Sequence, residues 1–425
     1  MGPSLIFDKS TLQSLNPDEA MWLDNFYLAN ITPLFFVETL GDLEKEVRAG
    51  KTPEQVVGNL AYKTPDMGGH VNVHHQSLIQ GELGAQAPIE MSGRPVISGG
   101  QPVMLENQSG VIFQESPEAE AFKRWQKGEF LAIERSIAKK WRQGLKNNYS
   151  VENSKMFHQF FTALGTPKTF KDVKSQVDMI VNMEDAQASL VFGLSIMGIS
   201  PKAQEVILKR WEKTGKKSIK EFAPYFAHVL SVDLFFYIGT AANLFSSFPH
   251  AQTHNIDVAY LYYLPFCNIF VSNDKLHIGT VPFFLRPDQT FVNGVDFKAD
   301  LKKLDEHYSA LPEETKNRGV VSFAFIPPTD DSFLVARLWD KHMSPTWKEI
   351  KTKKFDGTDK IDPEADRAAV ERIRRFAKDS KPVDHSAIGS SDDVSQVLSK
   401  HMVLARKGKW RRFPPEVENS RPILD

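Results

Sequence analysis

IDVAYLYYLPFCNIFVSNDKLH, Ile256 to His277, decides how this chain is read. It sets Asp257 at the mouth of an apolar helix, breaks at Pro265, and runs through a short β-rich segment, Cys267 to Ser272, into Asn273-Asp274. An unpaired buried carboxylate is expensive, so acids beside deep apolar surface need a reason. Two of them at the ends of one helix–strand unit point to a shared polar pocket at the carboxyl edge of a sheet. Taken singly, Asp257 could be a helix cap and Asp274 a turn residue.

Outward from there, the first residues repeat the pattern. SLIFD, Ser4 to Asp8, is a short apolar strand running into an acid, and Asp8 or Ser10 can cap a helix reaching about Leu15. Asn16-Pro17-Asp18 restarts a helix, DEAMWLDNFYLAN, with Pro in its first turn. A third helix, LFFVETLGDLEKEVRAG, stops on basic residues and Gly50. On it Glu38 and Asp42 lie four apart and share a face among Phe35, Phe36, Val37 and Leu40.

The middle differs in character. From Thr64 to Gly110 the chain is rich in Gly and Pro: RPVISGGQPVML reads as a hairpin around Gly99-Gly100 and SGVIFQ as another strand. His70, His74 and His75 have no companion Cys, so a polar hairpin face outweighs a zinc site there. A helix-rich stretch follows from Pro117. The segment FAPYFAHVLSVDLFFYIGTAANLFSSF, Phe222 to Phe248, is long enough to span a bilayer. Pro224, His228, Asp233 and Asn243 make it better suited to a protein core. Past Asp274, VVSFAFIP, Val320 to Pro327, looks like a late strand, and the chain turns polar from Met343.

Composition is that of a globular protein: 41% hydrophobic, 25% charged, net charge −1 over 425 residues. Near-neutrality argues against a surface that coats nucleic acid throughout, though local basic stripes remain compatible. The single cysteine, Cys267, excludes an internal disulfide and Cys-rich zinc sites, which fits a reducing compartment. The opening residues carry no secretion signal pattern, so the expected location is cytoplasmic, with no membrane association. Homo-oligomerisation is left open.

The ordered acids are strand–Asp8, helix–Glu38, helix-start Asp257 and strand–Asp274. Clustered carboxylates repel unless cations neutralise them, and oxygen ligands favour hard ions such as Mg²⁺ or Mn²⁺. This set resembles the PIN-domain family of metal-dependent nucleases. SLIFDKS resembles its first strand ending in Asp, ITPLFFVETLGDL its helix with Glu38, IDVAYLYYLP its third acid at a helix start, and IFVSNDK its strand ending in Asn-Asp. The resemblance covers about 50 residues at the front and about 70 from Pro224 to Gln289. More than 200 residues separate Glu38 from Asp257, so a large insertion is implied.

The resemblance implies a PIN-like three-layer α/β/α fold with a central parallel sheet. Its core would come from residues 1–63 and 220–330, interrupted by a mixed β and helical insert at 64–219 and followed by a polar, basic extension at 331–425. It also implies a divalent-metal-dependent endoribonuclease, with a toxin or defence role in some settings. The four acids would hold Mg²⁺ or Mn²⁺, with Asn273 or Ser272 orienting the last of them, Asp274, Ser10 as a further supporting residue, and Asp42, or failing it Asp24, as a further acid. The alternative is a PIN-like scaffold that binds RNA or a protein without cutting. A phosphatase with an Asp nucleophile is disfavoured because FDKST lacks a second Asp two residues on.

Two basic stretches with interleaved Trp125, Trp141 and Trp410 suit a single-stranded backbone. Their candidate contacts are Lys123, Arg124, Lys139, Lys140, Arg142, Arg406, Lys407, Lys409, Arg411 and Arg412. The competing reading is a solvated helix face with the tryptophans in the core.

Overall fold

The computed structural model describes residues 2–48, 50–66, 71–84, 89–97, 100–113, 117–137, 140, 165–245, 254–348, 371–372, 374–384, 396–399 and 404–415. In chain order the strands are β1 (Ser4–Phe7), β2 (Leu28–Asn30), β3 (Gly100–Leu105), β4 (Gln108–Phe113), β5 (Ile269–Ser272), β6 (Thr290–Asn293), β7 (Lys381–Pro382), β8 (Gln396–Ser399), β9 (Arg406–Lys407) and β10 (Trp410–Arg411).

The α/β expectation holds. β2-β1-β5-β6 form a four-stranded sheet whose neighbours all pair in parallel. The central strands β1 and β5 are short continuous apolar runs, as expected where a parallel sheet is covered on both faces. Their side chains alternate. Leu5, Phe7, Ile269 and Val271 join one buried cluster with Trp22, Phe26, Leu301 and Trp339. Ile6 and Phe270 join the other, with Tyr225, Phe226 and Leu230. Helices therefore cover the sheet on both sides, and β1 pairs directly with the sequence-distant β5, Leu5 against Ile269.

Local sequence fixes the first helices. Asp8 caps Lys9–Ser14, and Asn16 with Glu19 forms a reciprocal capping box on Pro17–Phe26. Thr52 and Gln55 do the same for Pro53–Ala61. Each such cap contributes about 1 kcal/mol. The apolar segment after Phe222 is the buried helix Pro224–Ala241. Among the described residues no helix is long and apolar enough to cross a membrane. That helix tolerates Asp233 because the Tyr262 hydroxyl bonds to its carboxylate and burial raises its pKa to about 7.

Four local expectations are corrected. The second helix stops at Phe26, and Leu28–Asn30 is a strand on β1, because sheet pairing overrides an apolar pattern that continues in helical period. The hairpin β3–β4 turns at Glu106-Asn107, with Glu106 at φ +55°, and Gly100 is a strand residue paired with Phe113, while Gly99 lies outside the described residues. Val320–Phe323 is a short helix and not a strand. His75 opens the helix His75–Gly84, so the His74-His75 pair is not a strand face, while His70 lies outside the described residues.

The insert and the C-terminal region share a second sheet, β7-β3-β4-β8, in which β7 pairs antiparallel with β3 and β8 parallel with β4. Beyond it the chain returns to the main core. Trp410 packs edge-on against Trp22, 4.8 Å between ring centres. Lys407 and Arg412 are fully buried against Asp24 and Asp66.

Candidate functional site

β1 and β5 are neighbours whose crossovers cover opposite faces, and the groups beyond their carboxyl ends face one crevice, the usual location of a site in an open α/β sheet. Asp8 follows β1 directly, with its N–H bonded to the Val271 carbonyl of β5 (3.3 Å). Its carboxylate is buried and fully engaged. Thr11 donates its backbone N–H (2.8 Å) and hydroxyl (2.6 Å) to Oδ1. Ser10 (2.8 Å) and Ser272 (2.7 Å) donate to Oδ2. Ser272, expected to serve Asp274, thus donates its hydroxyl to Asp8.

Glu38, on the helix Pro33–Arg48, comes to the same place. Tyr260 donates its hydroxyl to Glu38 Oε2 at 2.8 Å. Burial pushes the Glu38 carboxyl up to about 8, opposed by the nearby Lys9 ammonium and reinforced by Asp257 and Asp8. Tyr260 is buried against the same three acids, and its pKa rises well above the ordinary value, first through burial and then through Glu38, Asp8 and Asp257. Asp8, Glu38 and Asp257 are thus gathered around one tyrosine. Asp42 stands beside them, bonded by the buried Lys9 Nζ at 2.6 Å. Asp24 is elsewhere, in the buried cluster with Lys407 and Arg412.

Asp257 sits inside the first turn of the helix His254–Tyr260 and not before it. Its backbone carbonyl faces His277 Nε2 at 2.6 Å, while His277 Nδ1 faces Ser272 Oγ at 2.7 Å. Ser272 gives its proton to Asp8 and accepts the Asp274 N–H (2.9 Å). His277 Nδ1 lies 3.9 Å from Asp8 Oδ2.

Asp274 follows β5 and caps the short helix Lys275–Thr280 through the Leu276 N–H (2.6 Å). Ser272 links it to Asp8, so these two acids stand on the same edge. Asn273 packs flat on Gly294, where any Cβ would come within 2.7 Å of its amide. Its Oδ1 is buried with no hydrogen-bond partner among the described residues.

Sequence reasoning missed Lys9, Thr11, Tyr260 and His277. Helical spacing carried a usable signal: Tyr260 is three residues past Asp257, and His277 three past Asp274.

The basic candidates scatter. Lys407 and Arg412 face the interior, paired with Asp24 and Asp66, and cannot touch a nucleic-acid backbone in this fold. Lys409 reaches Asp305 at 2.6 Å, and Arg124 reaches Glu134 at 2.9 Å. Lys140 and Arg406 are exposed, and Lys123 and Arg411 half-buried. Trp125 and Trp410 are core residues, Trp125 stacking on Phe36 at 4.9 Å. Lys139, Trp141 and Arg142 lie outside the described residues.

No protein-family model, no curated protein and no solved structure matches this chain.

Proposed function

We propose that this chain is a divalent-metal-dependent endonuclease acting on RNA, with Asp8, Glu38, Asp257 and Asp274 as its acid set. One observation carries the reading. Glu38 is held to about 8 beside Asp257 and Asp8, at the carboxyl edge of a parallel sheet. Carboxylates perturbed by burial and by like charge gather at functional sites. Such a set gains most from a hard cation, since all its donors are oxygens. The unpartnered Asn273 Oδ1 adds one more oxygen at that edge. RNA as substrate rests on the sequence resemblance.

The ligand spacing is not closed: among the described residues no three His, Cys, Asp or Glu side chains lie together as a metal-holding group. A bound Mg²⁺ or Mn²⁺ supplies an activated water and charge stabilisation for the leaving oxygen. The chain's own residues do the rest. Glu38 would meet the cation as a carboxylate that the Tyr260 hydroxyl keeps oriented. Ser272 and Thr11 fix Asp8, which would have to release one hydroxyl donor to offer a lone pair. His277 anchors the backbone of Asp257.

That last requirement supports a second reading. Asp8 already accepts four hydrogen bonds, and Lys9 sits on Asp42. An acid set satisfied from within suits a scaffold that binds RNA or a protein without cutting.

Labelled RNA and single-stranded DNA incubated with Mg²⁺, Mn²⁺ or EDTA separate the two. Metal-dependent RNA cutting that Asp8→Asn and Asp274→Asn both abolish, with the fold intact by circular dichroism, supports the nuclease. Binding with no metal-dependent cutting supports the scaffold. Cutting retained in both variants rejects the site.

A further inference from the structure

Three polar side chains near the carboxyl end of β2 are buried and incompletely paired. Asn30, Thr32 and Asn72 are exposed by 0%, 1% and 2%. Asn30 Oδ1, Thr32 Oγ1 and Asn72 Nδ2 have no hydrogen-bond partner among the described residues. The amide orientations are fixed by backbone partners. Asn30 Nδ2 donates to the Leu28 carbonyl (3.0 Å), which leaves its oxygen over. Asn72 Oδ1 accepts the Val96 N–H (3.1 Å), which leaves its nitrogen over.

Register brings the three together. Asn30 pairs with Ile6 of β1 and so shares its face of the sheet. Two residues on, the same register sets Thr32 beside Asp8. Ile31 bridges Val71 in parallel, and the Asn72 N–H donates to the Ile31 carbonyl at 3.0 Å. Ile31 and Val71 belong to the opposite buried cluster, so Thr32 and Asn72 turn to the Asn30 side. Paired positions on neighbouring strands stand about 5 Å apart, close enough for one small molecule to touch both side chains.

Each buried polar atom left unpaired costs about 1–3 kcal/mol, so three in one block are not tolerated without a partner. The leftover chemistry is one acceptor, one donor and one hydroxyl that can do either. A water molecule matches all three, and the near-zero exposure leaves no opening for anything larger.

We infer that Asn30, Thr32 and Asn72 bind an internal water at the carboxyl end of β2, next to the strand that carries Asp8. The water donates to Asn30 Oδ1, accepts from Asn72 Nδ2 and exchanges a hydrogen bond with Thr32 Oγ1. It completes the polar wall behind the acid group. The inference does not depend on whether those acids cut RNA.

The test is a crystal structure of the full chain at a resolution that orders solvent. A water peak within hydrogen-bond reach of Asn30 Oδ1 and at least one of the other two atoms is the expected result. A dry site, or side chains rotated onto one another, overturns it. Thr32→Val and Thr32→Ser provide an independent arm. Valine keeps the shape and loses the hydroxyl, and should lower the folded-to-unfolded ratio roughly 5- to 100-fold, with serine restoring most of it. Valine as stable as wild type overturns the inference. If the valine variant does not fold, the wild-type crystal decides.

Discussion

Tyr260 and Glu38 meet through a 2.8 Å hydrogen bond that ties the end of the long connection between β2 and β5 back to its beginning. The bond favours the charged form of Glu38 against the burial that disfavours it. Replacing Tyr260 with Phe should therefore raise the Glu38 pKa above about 8 and weaken Mn²⁺ binding at neutral pH. Titration calorimetry across pH reads this directly. Unchanged Mn²⁺ affinity would separate Tyr260 from any cation site.

Glu38 also sets a pH dependence of stability. Its folded pKa, about 8, lies above the ordinary 4.5, so in that interval the folded chain holds a proton that the unfolded chain has lost. Stability present at lower pH is then lost as pH rises through the interval, at no more than about 1.4 kcal/mol per unit. Glu38→Gln should flatten the slope. Urea midpoints of both proteins over this range test it, and parallel slopes would sink the claim.

Lys9 is almost fully buried, with its ammonium on Asp42 and within reach of the Glu38 charge. Lys9→Met removes positive charge from the acid group. If cation and ammonium compete for that field, Mn²⁺ should bind several-fold more tightly to the variant, while folding stability falls by about 1–3 kcal/mol. Looser Mn²⁺ binding than wild type would place the ion elsewhere.

Cys267 is wholly buried, and burial pushes its thiol up to about 12. A thiol in that state is a poor nucleophile. It should resist a disulfide reagent in native protein and react at once in urea. Rapid labelling of the native chain contradicts the buried placement.

Arg412 contacts Asp24 at 2.5 Å and Asp66 at 3.2 Å, with all three side chains inside the protein. Arg412→Met should destabilise by about 3–5 kcal/mol by leaving buried carboxylates under-compensated. It should not alter the salt dependence of RNA binding, whereas an exposed Arg406→Ala change is free to do so. A lower salt slope in the Arg412 variant, with stability intact, would return that arginine to the surface.

Much of the parallel core was legible because its signals are local. SLIFD and IFVSND each read as an apolar run ending in polar residues, and Asn16-Pro17 with Glu19 marks a helix start. What escaped depended on distant partners. Leu28–Asn30 continues the helical apolar period of its own segment, and only β1 makes it a strand. KGKWRRF looks like a solvent-facing basic run, and only Asp24 and Asp66, brought in from the far end of the chain, explain why Lys407 and Arg412 are inside. The internal partners of the acids were not legible, since Lys9 and His277 look like surface residues until Asp42, Ser272 and the Asp257 carbonyl are placed beside them.

The pairing of Arg412 with Asp24 spans 388 residues, and it has a consequence for biosynthesis. Arg412 leaves the ribosome 388 residues after Asp24 and 346 after Asp66, the acids whose charge it cancels. The region around those acids cannot seal its interior until then. Nascent chains arrested short of Lys407 should stay open to protease and chaperone, and chains extended past Arg412 should lose that sensitivity.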